Sequence, residues 1–203
     1  MYQYELEQIE WSNIWRDDST EKDKPRMLLI GDSITQGYGH NVYNMLDKKW
    51  ALTRYSTSKG IDNPYLLDEI FMVAKQENYA YDFVHFNNGI HADYISDEDF
   101  AVFYQQAVWA LRDKFPNSKI AIATSTTLCK KENGVMVLSE KNDMVVRRNA
   151  IMRRIAEGSG IKVNDLYEVA ARDNNYHCED CVHFTAEGYE VLGRQVADFL
   201  LSL

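Results

Sequence analysis

Short apolar runs alternate with longer amphipathic stretches from residue 26 to the end of the chain. The runs RMLLIG (26–31), WALTRYST (50–57), YDFVHFNN (81–88), KIAIATST (119–126) and GIKVND (160–165) are rich in aliphatic, β-branched and aromatic residues. They are too short for helices and read as strands. Between them, 63–78 reads as a helix with Pro64 near its first turn, and 96–115 as one opened by Ser96 and acidic residues. A third, 141–160, is closed by glycine, and a last helix covers 185–203. Strands apolar along most of their length and alternating with helices predict a parallel sheet buried on both faces. The expected fold is therefore α/β, a three-layer α/β/α sandwich with a flavodoxin-like parallel sheet of about five strands. Residues 1–24 are polar apart from Ile9, Trp11, Ile14 and Trp15 and are expected to pack as an arm on a single domain, 25–203.

Composition narrows the partners. A chain of 203 residues with 45% hydrophobic positions can bury one full core. Its formal charge is −9, from 22 Lys and Arg against 31 Asp and Glu, with no basic cluster, which disfavours nucleic acid. No apolar run is long enough for a membrane span, and the first 26 residues lack the basic head and apolar stretch of a signal peptide. A cytoplasmic protein is expected, or a secreted one if a leader has been removed. Three cysteines make no disulfide framework, which agrees with a reducing compartment.

The chemistry gathers in loops that follow strands, which in such sheets open on one crevice. Ser33, in GDSITQGYG, sits at the end of the first apolar run, after a glycine that permits a sharp turn and before amide groups that can stabilise negative charge. It reads either as a helix cap or as a nucleophile. A nucleophilic serine needs a base and the base an orienter. In HCEDCVHFTAEG, Asp180 precedes His183 by three residues, so its carboxylate can fold back to the imidazole and leave the other ring nitrogen facing outward. Donors for an oxyanion come from NNG, where Asn88, beside Gly89, is preferred over Asn87, and from a backbone N–H of Gly60 or Ser58 in STSKGIDNP.

Together these stretches resemble the SGNH, or GDSL-type, hydrolases. GDSITQGYG resembles the first block of that family, with Ser33 as nucleophile, and DCVH its last, Asp-x-x-His, with Asp180 and His183. NNG stands where the third block, Gly-x-Asn-Asp, carries its oxyanion asparagine, which maps to Asn88. Here Phe86 replaces the glycine and Gly89 the aspartate. The glycine of the second block maps to Gly60, with Ser58 in a slightly different register. The resemblance implies an α/β/α fold and ester hydrolysis through an acyl-enzyme, with an oxyanion hole of Ser33, Gly60 and Asn88, and no cofactor or metal.

Rival readings attach to particular residues. Cys178 and Cys181, flanked by His177 and His183, have zinc-like spacing, but the third cysteine, Cys129, is expected to sit far off. His85 reads as a packed strand residue and His40 as a solvated loop residue. His91 lacks a preceding carboxylate and reads as pocket-lining, while Tyr38, Tyr43 and Tyr94 are expected in loops at the catalytic edge, placed to stack on a sugar. The expected substrate is a small acyl ester, acetyl above all, on a carbohydrate. A lysophospholipase or thioesterase-like activity and a non-catalytic carbohydrate-binding module are the alternatives. Oligomeric state is not readable from the sequence.

Overall fold

The structure, a computed structural model, describes residue 5 and residues 8–203. In chain order the strands are β1 (Ser12–Asp17), β2 (Arg26–Gly31), β3 (Ala51–Thr57), β4 (Phe83–Phe86), β5 (Lys119–Ala123), β6 (Cys129–Glu132), β7 (Val135–Leu138) and β8 (Lys162–Asn164). The helices are α1 (Ser33–Met45), α2 (Leu66–Lys75), α3 (Asp97–Lys114), α4 (Asn142–Gly158), α5 (Leu166–Ala170) and α6 (Ala186–Leu201). The main sheet has six strands in the order β1-β3-β2-β4-β5-β8. All neighbours from β3 to β8 pair in parallel, and β1 alone runs antiparallel, against β3.

Alternation along β2 divides the core. Leu28 and Ile30 point to one face, where they meet Val84, Phe86 and Ile122 under Ile70 and Val73 of α2, Phe100 and Tyr104 of α3 and Met152 of α4. Met27 and Leu29 point to the other, under Val42 of α1, Val169 of α5 and Leu192 and Val196 of α6. Both faces are thus sealed by helices, which is why these strands carry near-continuous apolar runs. The fold is the expected three-layer sandwich.

The sheet is one strand wider than expected, because part of the N-terminal arm joins it. Main-chain pairing of Ser12–Asp17 with Leu52–Thr57 of β3 attaches this segment. Of the arm's four apolar side chains, Ile9, Ile14 and Trp15 are 73%, 40% and 63% exposed and Trp11 is half-buried. With β1 in place β3 becomes an interior strand, buried at every position. Of the expected arm, residues 1–4, 6 and 7 lie outside the described residues.

Helix α1 has a weak apolar pattern because packing with α6 dictates small residues at contacts. At Gly37 a Cβ would lie 2.1 Å from the Tyr189 ring. Tyr38 and Tyr43 belong to this helix and not to loops: both are buried, the former with its hydroxyl 3.0 Å from Thr35 Oγ1 and the latter donating to Asp18 Oδ2 at 2.7 Å. The expectation that Tyr38 lines a substrate site is corrected accordingly. A chain that turns directly into a helix after β2 must face every fourth or so side chain inward.

Candidate active site

Gly31, Asp32 and Ser33 divide the labour at the end of β2. Asp32, 3% exposed, is the helix cap: its Oδ1 accepts the N–H of Ile34 at 2.9 Å. Ser33 occupies the first helical position, half-buried, with its hydroxyl released from capping. Its Oγ lies 2.8 Å from Nε2 of His183.

The loop leading into α6 brings that imidazole across the molecule. Asp180 Oδ1 accepts the backbone N–H groups of Val182 at 3.0 Å and His183 at 2.8 Å, while Oδ2 accepts Nδ1–H of the His183 ring at 2.7 Å. Burial alone would raise the Asp180 pKa, but the two backbone donors and the imidazole lower it to about 2. An ionised carboxylate only accepts, so it fixes the proton on Nδ1 and turns the lone pair of Nε2 toward Ser33.

Backbone pairing holds this loop. Cys178 N–H donates to His183 O at 2.7 Å, and Cys129 N–H at the start of β6 donates to Cys181 O at 2.9 Å. The β6–β7 hairpin, unforeseen in the sequence, therefore brings Cys129 beside the Cys178–Cys181 segment, correcting the expectation that it sits far off. Burial, and secondarily the Cys181 thiol, push the Cys129 pKa up to about 11. His177 is buried against the Phe184 ring, centroids 4.3 Å apart, with Nε2 3.0 Å from Thr127 O. Among the described residues no three His, Cys, Asp or Glu side chains converge as a metal site requires.

Asn88 follows the end of β4 and Gly60 the end of β3. Asn88, 4% exposed, donates through Nδ2 to Lys59 O at 2.9 Å, which seats it against Gly60. A Cβ on Gly60 would come within 2.5 Å of the Ala92 Cβ and 2.8 Å of Asp62 Oδ1, so only glycine fits. The two alternatives face the scaffold. Ser58 donates its N–H to Trp11 O at 3.1 Å, and Asn87 donates Nδ2 to Ala123 O at 2.8 Å.

One residue that sequence reasoning missed supports this edge. Arg148 of α4 is fully buried and donates Nη1 to the carbonyls of Gly89 and His91 at 3.1 and 3.0 Å and Nη2 to Ala92 O at 2.7 Å. It spans the loop that begins just after Asn88. The signal was available, since Arg148 falls between Val145 and Met152 on the apolar stripe of its helix.

The remaining candidates scatter. His91 is half-buried in that loop, and Tyr94, 40% exposed, hydrogen-bonds the Asp62 carboxylate. His85 is fully buried, its pKa lowered to about 4 by burial, with Nε2 3.2 Å from Asn164 Nδ2. His40 is exposed as expected, but on α1 and not in a loop.

A hydroxyl, an imidazole and an ionised carboxylate in hydrogen-bonded series can generate an alkoxide nucleophile at the moment of attack. An α/β/α sandwich with this series at the carboxyl edge of its sheet defines the class of SGNH-type hydrolases. The chain belongs to the GDSL-like lipase/acylhydrolase family, whose pattern it matches over residues 29–191, and it is a carboxylic ester hydrolase of that class. Solved structures share the fold at low identity. An acetyl xylan esterase, AlAXEase, is 17% identical with TM-score 0.65, covering 86% of this chain and 99% of its own. The carbohydrate acetylesterase Est24 from Sinorhizobium meliloti is 14% identical with TM-score 0.72 (88% and 99% covered), and an aryl esterase from M. smegmatis 16% with TM-score 0.71 (88% and 99%). No curated protein sequence matches. Among the described residues no helix is long and apolar enough to cross a membrane.

Proposed function

We infer that this protein hydrolyses small acyl esters, acetyl esters above all, carried on carbohydrate alcohols. The observation that carries the reading is the unbroken series Ser33 Oγ, His183 Nε2, His183 Nδ1, Asp180 Oδ2, at 2.8 and 2.7 Å. Ser33 Oγ attacks the ester carbonyl carbon as its proton passes to Nε2. The carbonyl oxygen becomes an oxyanion held by the N–H groups of Ser33 and Gly60 and by the Asn88 amide. Collapse breaks the bond to the alcohol, which leaves with the proton from Nε2, and an acyl-Ser33 ester remains. Water then attacks that ester, giving its proton to Nε2, and the carboxylic acid departs as Ser33 regains its hydroxyl. Asp180 keeps its charge throughout and stabilises the imidazolium.

The net charge of −9 disfavours anionic esters. Similarity of fold to an acetyl xylan esterase and a carbohydrate acetylesterase agrees with an acetylated sugar.

Labelling with a fluorophosphonate and a series of aryl esters from acetyl to octanoyl test the reading together. Labelling at Ser33 with kcat/KM falling as the acyl chain lengthens is the expected result. Preference for octanoyl would make a lysophospholipase or thioesterase-like activity the better description. Neither labelling nor turnover would leave a carbohydrate-binding module on the same fold.

A further inference from the structure

A groove of about 480 Å³ runs between α1, the helix that Ser33 opens, and the extra edge strand β1, within the range of roughly 300–1,000 Å³ for small-molecule sites. It exists because β1 widens the sheet past the reach of α1, leaving this side of the strand uncovered. Asn13, Ile14 and Trp15 line it from β1, Ser56 and Arg54 from β3, and Gln36 and His40 from α1. Gln36 and His40 follow Ser33 at helical spacing, so the groove lies along the face of α1 that Ser33 begins.

Its walls are preassembled for one kind of ligand. The 63% exposed indole of Trp15 is fixed from both sides: its Nε1–H donates to Asp17 Oδ1 at 3.2 Å, and the Arg54 guanidinium lies 5.3 Å from the ring centroid. Arg54 is itself only 8% exposed and paired with Asp17 Oδ2 at 2.8 Å, so the groove carries no unbalanced positive charge to select an anion. Gln36 and His40 face the indole from α1, and Asn13 and Ser56 lie beside it on the strands, Asn13 Nδ2 donating to Gln36 Oε1 at 3.4 Å. An aromatic plane that accepts C–H faces, opposed by donors and acceptors in both senses, suits a neutral, hydroxyl-rich ring. An alkyl chain would leave those polar groups without partners.

We propose that this groove seats a neutral sugar ring of the alcohol moiety of the ester, with Trp15 as its stacking platform and Gln36 and Asn13 as hydroxyl-reading groups. The assignment rests on the ester-hydrolase reading above, since it concerns the other half of the same substrate. It makes the N-terminal strand a specificity element and not only an edge cover.

The test compares wild type with Trp15→Ala, Trp15→Phe and Gln36→Ala on two kinds of ester, partially acetylated xylo- and gluco-oligosaccharides and 4-nitrophenyl acetate. Trp15→Ala should lower the ratio of oligosaccharide to aryl acetate kcat/KM at least tenfold, mainly through KM for the saccharide, and Trp15→Phe should restore much of it. Calorimetric titration with the unacetylated oligosaccharides reads the groove without any turnover, and binding should weaken in the Trp15→Ala and Gln36→Ala proteins. A ratio and a saccharide affinity unchanged by Trp15→Ala overturn the groove assignment even if aryl acetate turnover stands. Loss of all turnover in the wild type would instead count against the hydrolase reading, and the titration would still decide the groove.

Discussion

Asp180 grips His183 at two points, accepting its backbone N–H at 2.8 Å through one carboxylate oxygen and its ring Nδ1–H at 2.7 Å through the other. The same carboxylate thus folds the loop and sets the tautomer of the base. Asp180→Asn should lower kcat by about two to four orders of magnitude, because an amide can donate to Nδ1 and reverse the tautomer. Steady-state kinetics with circular dichroism as a folding control decides this, and a variant with full activity would remove Asp180 from the mechanism.

With its pKa lowered to about 2 from an ordinary 3.8, Asp180 gives a stability contribution that is complete above the ordinary value and lost as pH falls toward 2. Urea unfolding as a function of pH should show that loss in the wild type and not in Asp180→Asn. The base must be unprotonated at Nε2 to accept the Ser33 proton. Activity that rises steadily on acidification from pH 8 to 5 would contradict an imidazole base.

Asn87 and Asn88 are adjacent yet should fail in different ways. Asn88→Ala should reduce kcat by about a hundred- to a thousandfold with little change in KM, as loss of an oxyanion donor does. Asn87→Ala should instead cost stability of about 1–3 kcal/mol, since it leaves the Ala123 carbonyl without its 2.8 Å donor. Kinetics and urea unfolding of both variants separate the roles, and a large kinetic defect confined to Asn87→Ala would shift the register by one residue.

Arg148 should behave as a positioning residue. Its guanidinium holds carbonyls at Gly89, His91 and Ala92, so Arg148→Met should destabilise the fold by about 3 kcal/mol or more. Hydrogen exchange across residues 89–95 should accelerate. Arg148→Lys, which keeps a charge but not the fork, should recover part of kcat with KM unchanged. If kcat is wild-type while the loop exchanges freely, the arginine serves stability alone.

Chelation should leave the rate on 4-nitrophenyl acetate unchanged, because the nucleophile is activated by an imidazole and the cysteines beside it are engaged through their backbones. Cys178→Ser should retain activity for the same reason. Stoichiometric zinc lost together with activity on chelator treatment would restore the metal reading of Cys178, Cys181 and Cys129.

Periodicity in the sequence determined the sandwich. Runs such as RMLLIG, apolar on both faces, can be stable only in a sheet covered on both sides, and the Ser96 cap marks the start of α3 to the residue. The Asp180–His183 pairing was also legible, because a three-residue spacing brings carboxylate and imidazole together within one loop. What tertiary structure alone decided depends on partners remote in the chain. Whether residues 12–17 pack by side chains or pair as β1 depends on the free edge of β3, and whether Asn87 or Asn88 turns inward depends on the Ala123 and Lys59 carbonyls. Tyr38 and Tyr43 looked available in a glycine-containing segment, but α6 packed against α1 makes that segment a helix with the tyrosines inside. The 2.8 Å contact between Ser33 and His183 belongs to the same category: each residue carries a local signal, and only the closed sheet brings the two loops to one edge.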